Sequence, residues 1–194
     1  MNIQQSINEF INTHSGFEEH RSYLGMSRLS ECPRKLYREF VSGTSADENT
    51  HRMAYAGYEQ ENNILLLLIQ AGVAKPVQRE LVASFDHRLR GHIDCETTEG
   101  DLLEIKSVSA AKWKRIVSEN RPMYSHNMQV QSYLYFGGYK RGFIVYRNRD
   151  TYEHLVFEVT NNHKLQTQLE GKALRVLQAI DDGDLPICEC GRCE

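Results

Sequence analysis

The stretch that most restricts the fold is GHIDCETTEGDLLEIKS, residues 91–107. Its two halves alternate polar and apolar residues around Glu99-Gly100, which predicts two strands joined by a tight turn. Side chains two apart on a strand share a face, so Glu104 and Lys106 project together while Leu103 and Ile105 point into the core. A hairpin brings Asp94 beside the first pair and turns Cys95 away, as a buried apolar thiol. Two carboxylates and an ammonium on one sheet face suit metal-assisted phosphodiester hydrolysis. The carboxylates are hard oxygen ligands for Mg²⁺ or Mn²⁺, and the lysine can neutralise charge on a phosphate. Taken alone, a surface hairpin with a cross-strand ion pair explains the same residues.

Around this hairpin the periodicity is mostly helical. Ile3, Ile7, Phe10 and Ile11 predict an opening helix. Ser30 is the expected cap of a second helix through ECPRKLYREF, with Pro33 in its first turn. A third helix is expected from about Arg52 to Gln70, ending at Gly72. VQRELVAS adds a strand before the hairpin. The helices AAKWKRIVSEN and SHNMQVQSYLYF follow, separated by Arg121-Pro122. The strands GFIVYRNR and TYEHLVFEV come next, and a closing helix runs from Asn162 to Asp181 before Gly183. This order predicts one α/β domain around a mixed sheet.

Composition narrows the class little further. At 40% hydrophobic and 25% charged residues the chain matches a globular protein. ILLLLI, residues 64–69, is too short to span a membrane, and MNIQQSINEF lacks the marks of a signal peptide. A cytoplasmic location is therefore expected, where clustered cysteines hold metal more often than disulfides. The net charge of −3 neither announces nor excludes a nucleic-acid binder. Basic residues gather at Lys112, Lys114, Arg115 and Arg121, then at Lys140, Arg141, Arg147 and Arg149, as a solvated mixed surface also would.

Four pieces of sequence, in order, resemble the PD-(D/E)XK nuclease superfamily in its RecB-like exonuclease branch. In AGYEQE, Gly57 precedes Glu61 by four residues on the third helix, and Glu59 competes for the same role. Gly91-His92-Ile93-Asp94 and Glu104-Ile105-Lys106 supply the central motif, and HNMQVQSYLYF resembles the Q-x-x-x-Y motif. In that motif Gln129 and Tyr133 form one register, with Val130 and Leu134 as aliphatic neighbours, and Gln131 with Tyr135 forms the other. The resemblance implies a restriction-endonuclease-like core, a central mixed sheet flanked by helices. It implies Glu61, Asp94, Glu104 and the Ile105 carbonyl as metal ligands, with Lys106, Gln129 and Tyr133 joining Asp94 and Glu104 in catalysis. His92 and His126 lie near the same motifs, with a structural or surface role as the simpler reading. Trp113 reads more simply as core than as a base-stacking platform.

One group of these nucleases carries an iron–sulfur cluster, with one cysteine before the core and three close together after it. It includes the exonucleases of CRISPR adaptation and AddB-type helicase-nucleases. Cys32, in SECPRKLYREF, and Cys188, Cys190 and Cys193, in ICECGRCE, resemble that pattern, although C-x-C-x-x-C is more compact than usual. The resemblance implies a [4Fe–4S] cluster that joins the N- and C-terminal segments, and four thiolates suit structural zinc as well.

The chain then divides into a helical segment 1–50, a nuclease core 51–160, and a closing helix with a cysteine tail 161–194, within a single nuclease domain. The function implied is a Mg²⁺- or Mn²⁺-dependent DNA exonuclease acting on single-stranded ends, with 5′→3′ polarity as one option. CRISPR spacer acquisition, in antiviral defence, and phage recombination or repair are the processes implied. Proteins of CRISPR adaptation or recombination are the implied partners, and no membrane is expected. The alternatives are a DNA-end-binding module without essential cleavage, and an endonuclease or nickase.

Overall fold

The alternation at 91–107 is realised as two strands of a six-stranded mixed sheet. The computed structural model describes residues 2–15 and 21–193, apart from the side chains of Gln78 and Asp94. In chain order the elements are α1 (Ile3–His14), β1 (Leu24–Gly25), a one-turn 3₁₀ helix (Met26–Arg28), α2 (Pro33–Ser42) and α3 (Glu48–Gln70). Then come β2 (Ala74–Ala83), β3 (Asp86–Thr97), β4 (Leu102–Val108), α4 (Ala110–Glu119) and α5 (Tyr124–Gly137). The chain closes with β5 (Arg141–Asn148), β6 (His154–Thr160) and α6 (His163–Asp182). Among the described residues, no helix is long and apolar enough to cross a membrane.

The sheet runs β1-β3-β4-β5-β6, and β2 lies on the other edge of β3. β1–β3 and β4–β5 are parallel, and the remaining pairs are antiparallel. Helices cover both faces. On one, α3 presents Ile64 to Ala74, Cys95, Leu103, Ile105 and Val145. On the other, Val130, Tyr133 and Leu134 of α5 pack with Leu102, Ile144 and Tyr146 of the sheet and Leu169, Ala173 and Val176 of α6. Alternation along β4 sends Leu103 and Ile105 to the α3 side, and Glu104 and Lys106 share the α5 side.

One irregularity in the sheet positions the site. β3 pairs with β4 only at Cys95↔Leu103 and Glu96↔Leu102, and with β1 at Leu89 and Arg90 on the same edge. Between those contacts, over 91–94, the edge is open and the two hairpin strands fork apart. Continued by one step, the β3–β4 register places position 94 opposite Glu104. The Glu99-Gly100 turn closes the hairpin, with Gly100 at φ 91° and the Thr97 N–H donating to the Asp101 carbonyl over 2.9 Å.

Several boundaries differ from the sequence expectation; β2 starts at Ala74 rather than Val77, and β3 at Asp86 rather than Leu89. The cap of α2 is Cys32, not Ser30, and Pro33 takes the first helical position. α3 begins at Glu48 rather than Arg52, because the Asp47 side chain accepts from the Thr50 N–H and caps it early. β6 starts at His154 rather than Thr151, after a loop in which Tyr152 adopts φ 62°.

Gly91 lies on the open edge of β3, where a Cβ would sit 2.7 Å from Tyr133 Cε1 and 2.9 Å from Met26 Sδ. Both neighbours are buried. Gly91→Ala should therefore lower stability by about 1–3 kcal/mol, the range for overpacking a filled core. A denaturant midpoint equal to wild type would show that Tyr133 and Met26 move aside without cost.

Candidate active site and cysteine site

Glu104 lies at the fork and is only 8% exposed. A carboxylate so placed needs donors, and two described side chains supply them. Lys106 Nζ lies 2.6 Å from Glu104 Oε1, and Gln129 Nε2 donates to the same oxygen over 2.9 Å. Gln129 Nε2 also reaches Tyr133 Oη at 3.4 Å, one turn along α5. Burial opposes the charge on Lys106, but the carboxylates of Glu104 and Glu61 outweigh it and hold the ammonium well above its ordinary range.

Glu61 reaches this charge because of where α3 is anchored. Ile64, one turn further along, is fully buried against Leu103 and Ile105, which turns position 61 toward the sheet. Glu59 is exposed and bonds Tyr55 on the same helix. The structure thus brings Glu61, Glu104, Lys106, Gln129 and Tyr133 into one neighbourhood, with Ile105 between the two charged residues of β4. The Asp94 backbone occupies β3 at the fork, and its side chain lies outside the described ones. The acidic side chains that meet here offer carboxylate oxygens, the kind of donor that suits a hard divalent cation.

The second register of α5 is engaged elsewhere. Gln131 is buried, donating to the Thr160 carbonyl and accepting from Asn162 N and Gln166 Nε2, so it joins α5 to the start of α6. Tyr135 bonds Glu170. His92 is exposed, 3.5 Å from Glu80 and edge-on to Tyr23. Trp113 packs against the main core. Several of the basic residues are locally paired: Arg115 and Arg121 with Glu119, Arg141 with Asp101, and Arg149 with Ser107.

The alkaline exonuclease LHK-Exo of Laribacter hongkongensis superposes with TM-score 0.66 at 13% identity, over 84% of this chain and 89% of that one. Its structure in complex with dAMP gives 0.67 over the same shares, also at 13% identity. A phage-related exonuclease of Haemophilus somnus 129PT gives 0.56 at 9% identity, over 82% of this chain and 94% of that one. This is the PD-(D/E)XK-type nuclease fold. At such identities the likeness is one of fold, and neither a protein-family model nor a curated protein matches the sequence.

The chain also carries a cysteine site. Cys32, Cys188, Cys190 and Cys193 have their sulfurs within 4.8 Å of one another, a group able to hold a metal. Cys32 serves as cap of α2 while its thiol faces the tail, where Glu189 N donates to it over 3.3 Å. Gly183, at φ 72°, ends α6 and turns the chain back toward α2. Arg34 then bonds the Pro186 and Cys193 carbonyls, and Lys172 bonds the Glu31 carbonyl. The Cys193 N–H, donating over 3.4 Å, helps to bring the Cys188 thiol down to about 6. Cys95 stands apart in the smaller core, its sulfur 3.2 Å from the Leu103 carbonyl.

Sequence reasoning missed the support for His126. Tyr146 is fully buried on β5, and its hydroxyl accepts from the Met123 N–H over 3.1 Å. That hydroxyl also meets His126 Nδ1 at 2.9 Å, fastening the first turn of α5 to the sheet. A tyrosine amid the apolar run of β5 reads as core, which hid this contact. Burial, helped by Lys106 and Lys112, lowers the His126 imidazole from 6.5 to about 4. The folded state therefore resists protonation that the unfolded chain accepts. Stability from this group is complete above the unfolded value and is lost as pH falls toward about 4. At about 1.4 kcal/mol per unit the loss is on the order of 3 kcal/mol. The wild-type melting temperature should fall across this window more steeply than that of His126→Gln; parallel curves would contradict the assignment.

Proposed function

We propose that this chain is a Mg²⁺- or Mn²⁺-dependent DNA exonuclease, acting on single-stranded ends as one nuclease domain. The observation that carries the reading is the convergence of Glu104, Lys106, Gln129, Tyr133 and Glu61 at the strand fork of a nuclease fold. Its structural neighbours include exonucleases, one of them in complex with dAMP, and this favours DNA as the substrate. CRISPR spacer acquisition and phage recombination or repair are the settings this reading suits, in the cytoplasm and beside proteins of those processes.

In this reading Glu61, Asp94, Glu104 and the Ile105 carbonyl hold the cation. When bound, the cation polarises the phosphoryl oxygen and acidifies a water. Lys106 meets the scissile phosphate as a cation and offsets the charge that builds on its oxygens. Gln129 fixes the Glu104 carboxylate by donating to Oε1, and Tyr133 steadies Gln129 from the next turn. The open edge at 91–94 leaves room for a backbone to enter the fork.

Linear and circular DNA, single- and double-stranded, incubated with Mn²⁺ test the reading. Linear single strands should shorten from their ends, circles should survive, and EDTA should stop the reaction. Nicked circles would make the protein an endonuclease, and binding without cleavage would make it an end-binding module. Lys106→Ala should cut the rate by about 100-fold or more, as expected for a group that meets transition-state charge. Gln129→Ala should cost roughly 10- to 100-fold, as loss of a ligand-orienting partner does. Gln131→Ala should act through stability instead, and a rate ranking with Gln131 above Gln129 would assign the wrong face of α5.

A further inference from the structure

His126, Gln129 and Tyr133 are spaced by three and then four residues along α5, which puts them on one side of the helix. Gln129 and Tyr133 serve the Glu104 carboxylate, and His126 is the member of this row without a task there. The sheet sets it beside Lys106. The β4–β5 register pairs Lys106 with Tyr146, and paired residues of neighbouring strands share a face. Tyr146 Oη in turn meets His126 Nδ1 at 2.9 Å. The charges of Lys106 and of Lys112, on α4, both act on the imidazole.

The hydrogen bonds decide which ring nitrogen carries the proton. The Tyr146 hydroxyl accepts from the Met123 N–H over 3.1 Å, which leaves its own proton to donate. Among the described residues, His126 Nδ1 is the acceptor that proton meets. The ring is therefore neutral, with its N–H at Nε2. Among the described residues, no hydrogen bond engages Nε2 and no ion pair engages Lys112, which is exposed. A fixed N–H donor and an unpaired ammonium beside Lys106 are groups that bind phosphate oxygens.

We propose that His126 Nε2–H and Lys112 bind the DNA phosphate that flanks the scissile one, with Tyr146 as the positioning residue for His126. This rests on the exonuclease reading, which puts the scissile phosphate at Lys106. His126 supplies a directed bond without charge, and Lys112 supplies charge on a flexible stem. Together they fix the register of the strand at the fork, as backbone contacts do.

The test is binding of a fluorescein-labelled single-stranded oligonucleotide, read by anisotropy in EDTA so that no cleavage intervenes. His126→Asn keeps an acceptor for Tyr146 and lacks a donor at the Nε2 position. It should bind about 10-fold more weakly, as loss of a hydrogen bond to a charged group does. His126→Gln keeps a donor near that position and should bind more tightly than His126→Asn. A purely structural histidine gives the reverse order, and that result overturns the proposal. Tyr146→Phe should weaken binding in the wild-type background and not in His126→Asn; additive losses overturn its positioning role. Lys112→Ala should lower the slope of log affinity against log salt by about 0.7, the value for one phosphate on a single strand. An unchanged slope overturns the proposal even where the His126 variants fail to fold. Cleavage in Mn²⁺ checks the exonuclease reading separately. Wild-type protein that binds without cutting, with His126→Asn weakened, refutes that reading and supports the phosphate site. Cutting by wild type, with His126→Asn binding equally well, overturns this proposal alone.

Discussion

A carboxylate and an ammonium 2.6 Å apart at the strand fork of an apolar sheet set the terms for the rest of this molecule. Leaving either charge buried alone would cost several kcal/mol. The pair therefore constrains every element that touches it. β4 must present Glu104 and Lys106 on one face, and it does so because Leu103 and Ile105 are held in the opposite core. α5 must bring Gln129 to Glu104, and Val130 and Leu134 seat it on the main core for that purpose. α3 must turn Glu61 inward, and Ile64 fixes its rotation. Two apolar cores, one on each face of the sheet, thus fix a polar site at the fork between β3 and β4. The same arrangement explains why the hairpin forks where it does, since the open edge of β3 begins one residue beyond the last β3–β4 pair.

The chain ends are held by a different kind of contact. α2 and α6 pack together, and the tail returns across them through Arg34, Lys172 and the four cysteines. A tail of this length would ordinarily fray. Here backbone carbonyls accept from side chains of α2 and thiols replace apolar anchors, so polar and metal-binding groups do what a core does elsewhere. No member of this cysteine group belongs to the carboxylate site, which makes the two centres separable by mutation.

Legibility in the sequence followed the strength of the local signal. The hairpin, its turn and the two faces of β4 were readable because alternation and a Gly at positive φ are local properties of a few residues. α5 was readable as a helix, and Gln129 lies beside Tyr133 because a spacing of four fixes a helical face. The start of α3 was hidden, since SADENT carries no apolar period and Asp47 acts only as a cap. Cys32 takes the cap position expected of Ser30 because Pro33 occupies the first helical position, and the contact of its thiol with a tail more than 150 residues away is one that no local pattern records. β1 has two residues, too few for any period, yet with the following 3₁₀ turn it places Met26 against Gly91. Gln131 offered the same spacing motif as Gln129. Its part in joining α5 to α6 depends on Thr160, Asn162 and Gln166, all distant in sequence.

Manganese binding tests this arrangement most directly, because it reports on the carboxylates without requiring turnover. Titration followed by electron paramagnetic resonance should show Mn²⁺ bound by the wild-type protein. Affinity should fall by about 10-fold or more in Glu104→Gln and in Glu61→Gln, while Glu59→Gln should bind as wild type does. Equal affinity in all four proteins, or the largest loss in Glu59→Gln, would contradict a cation site at the fork beside Lys106.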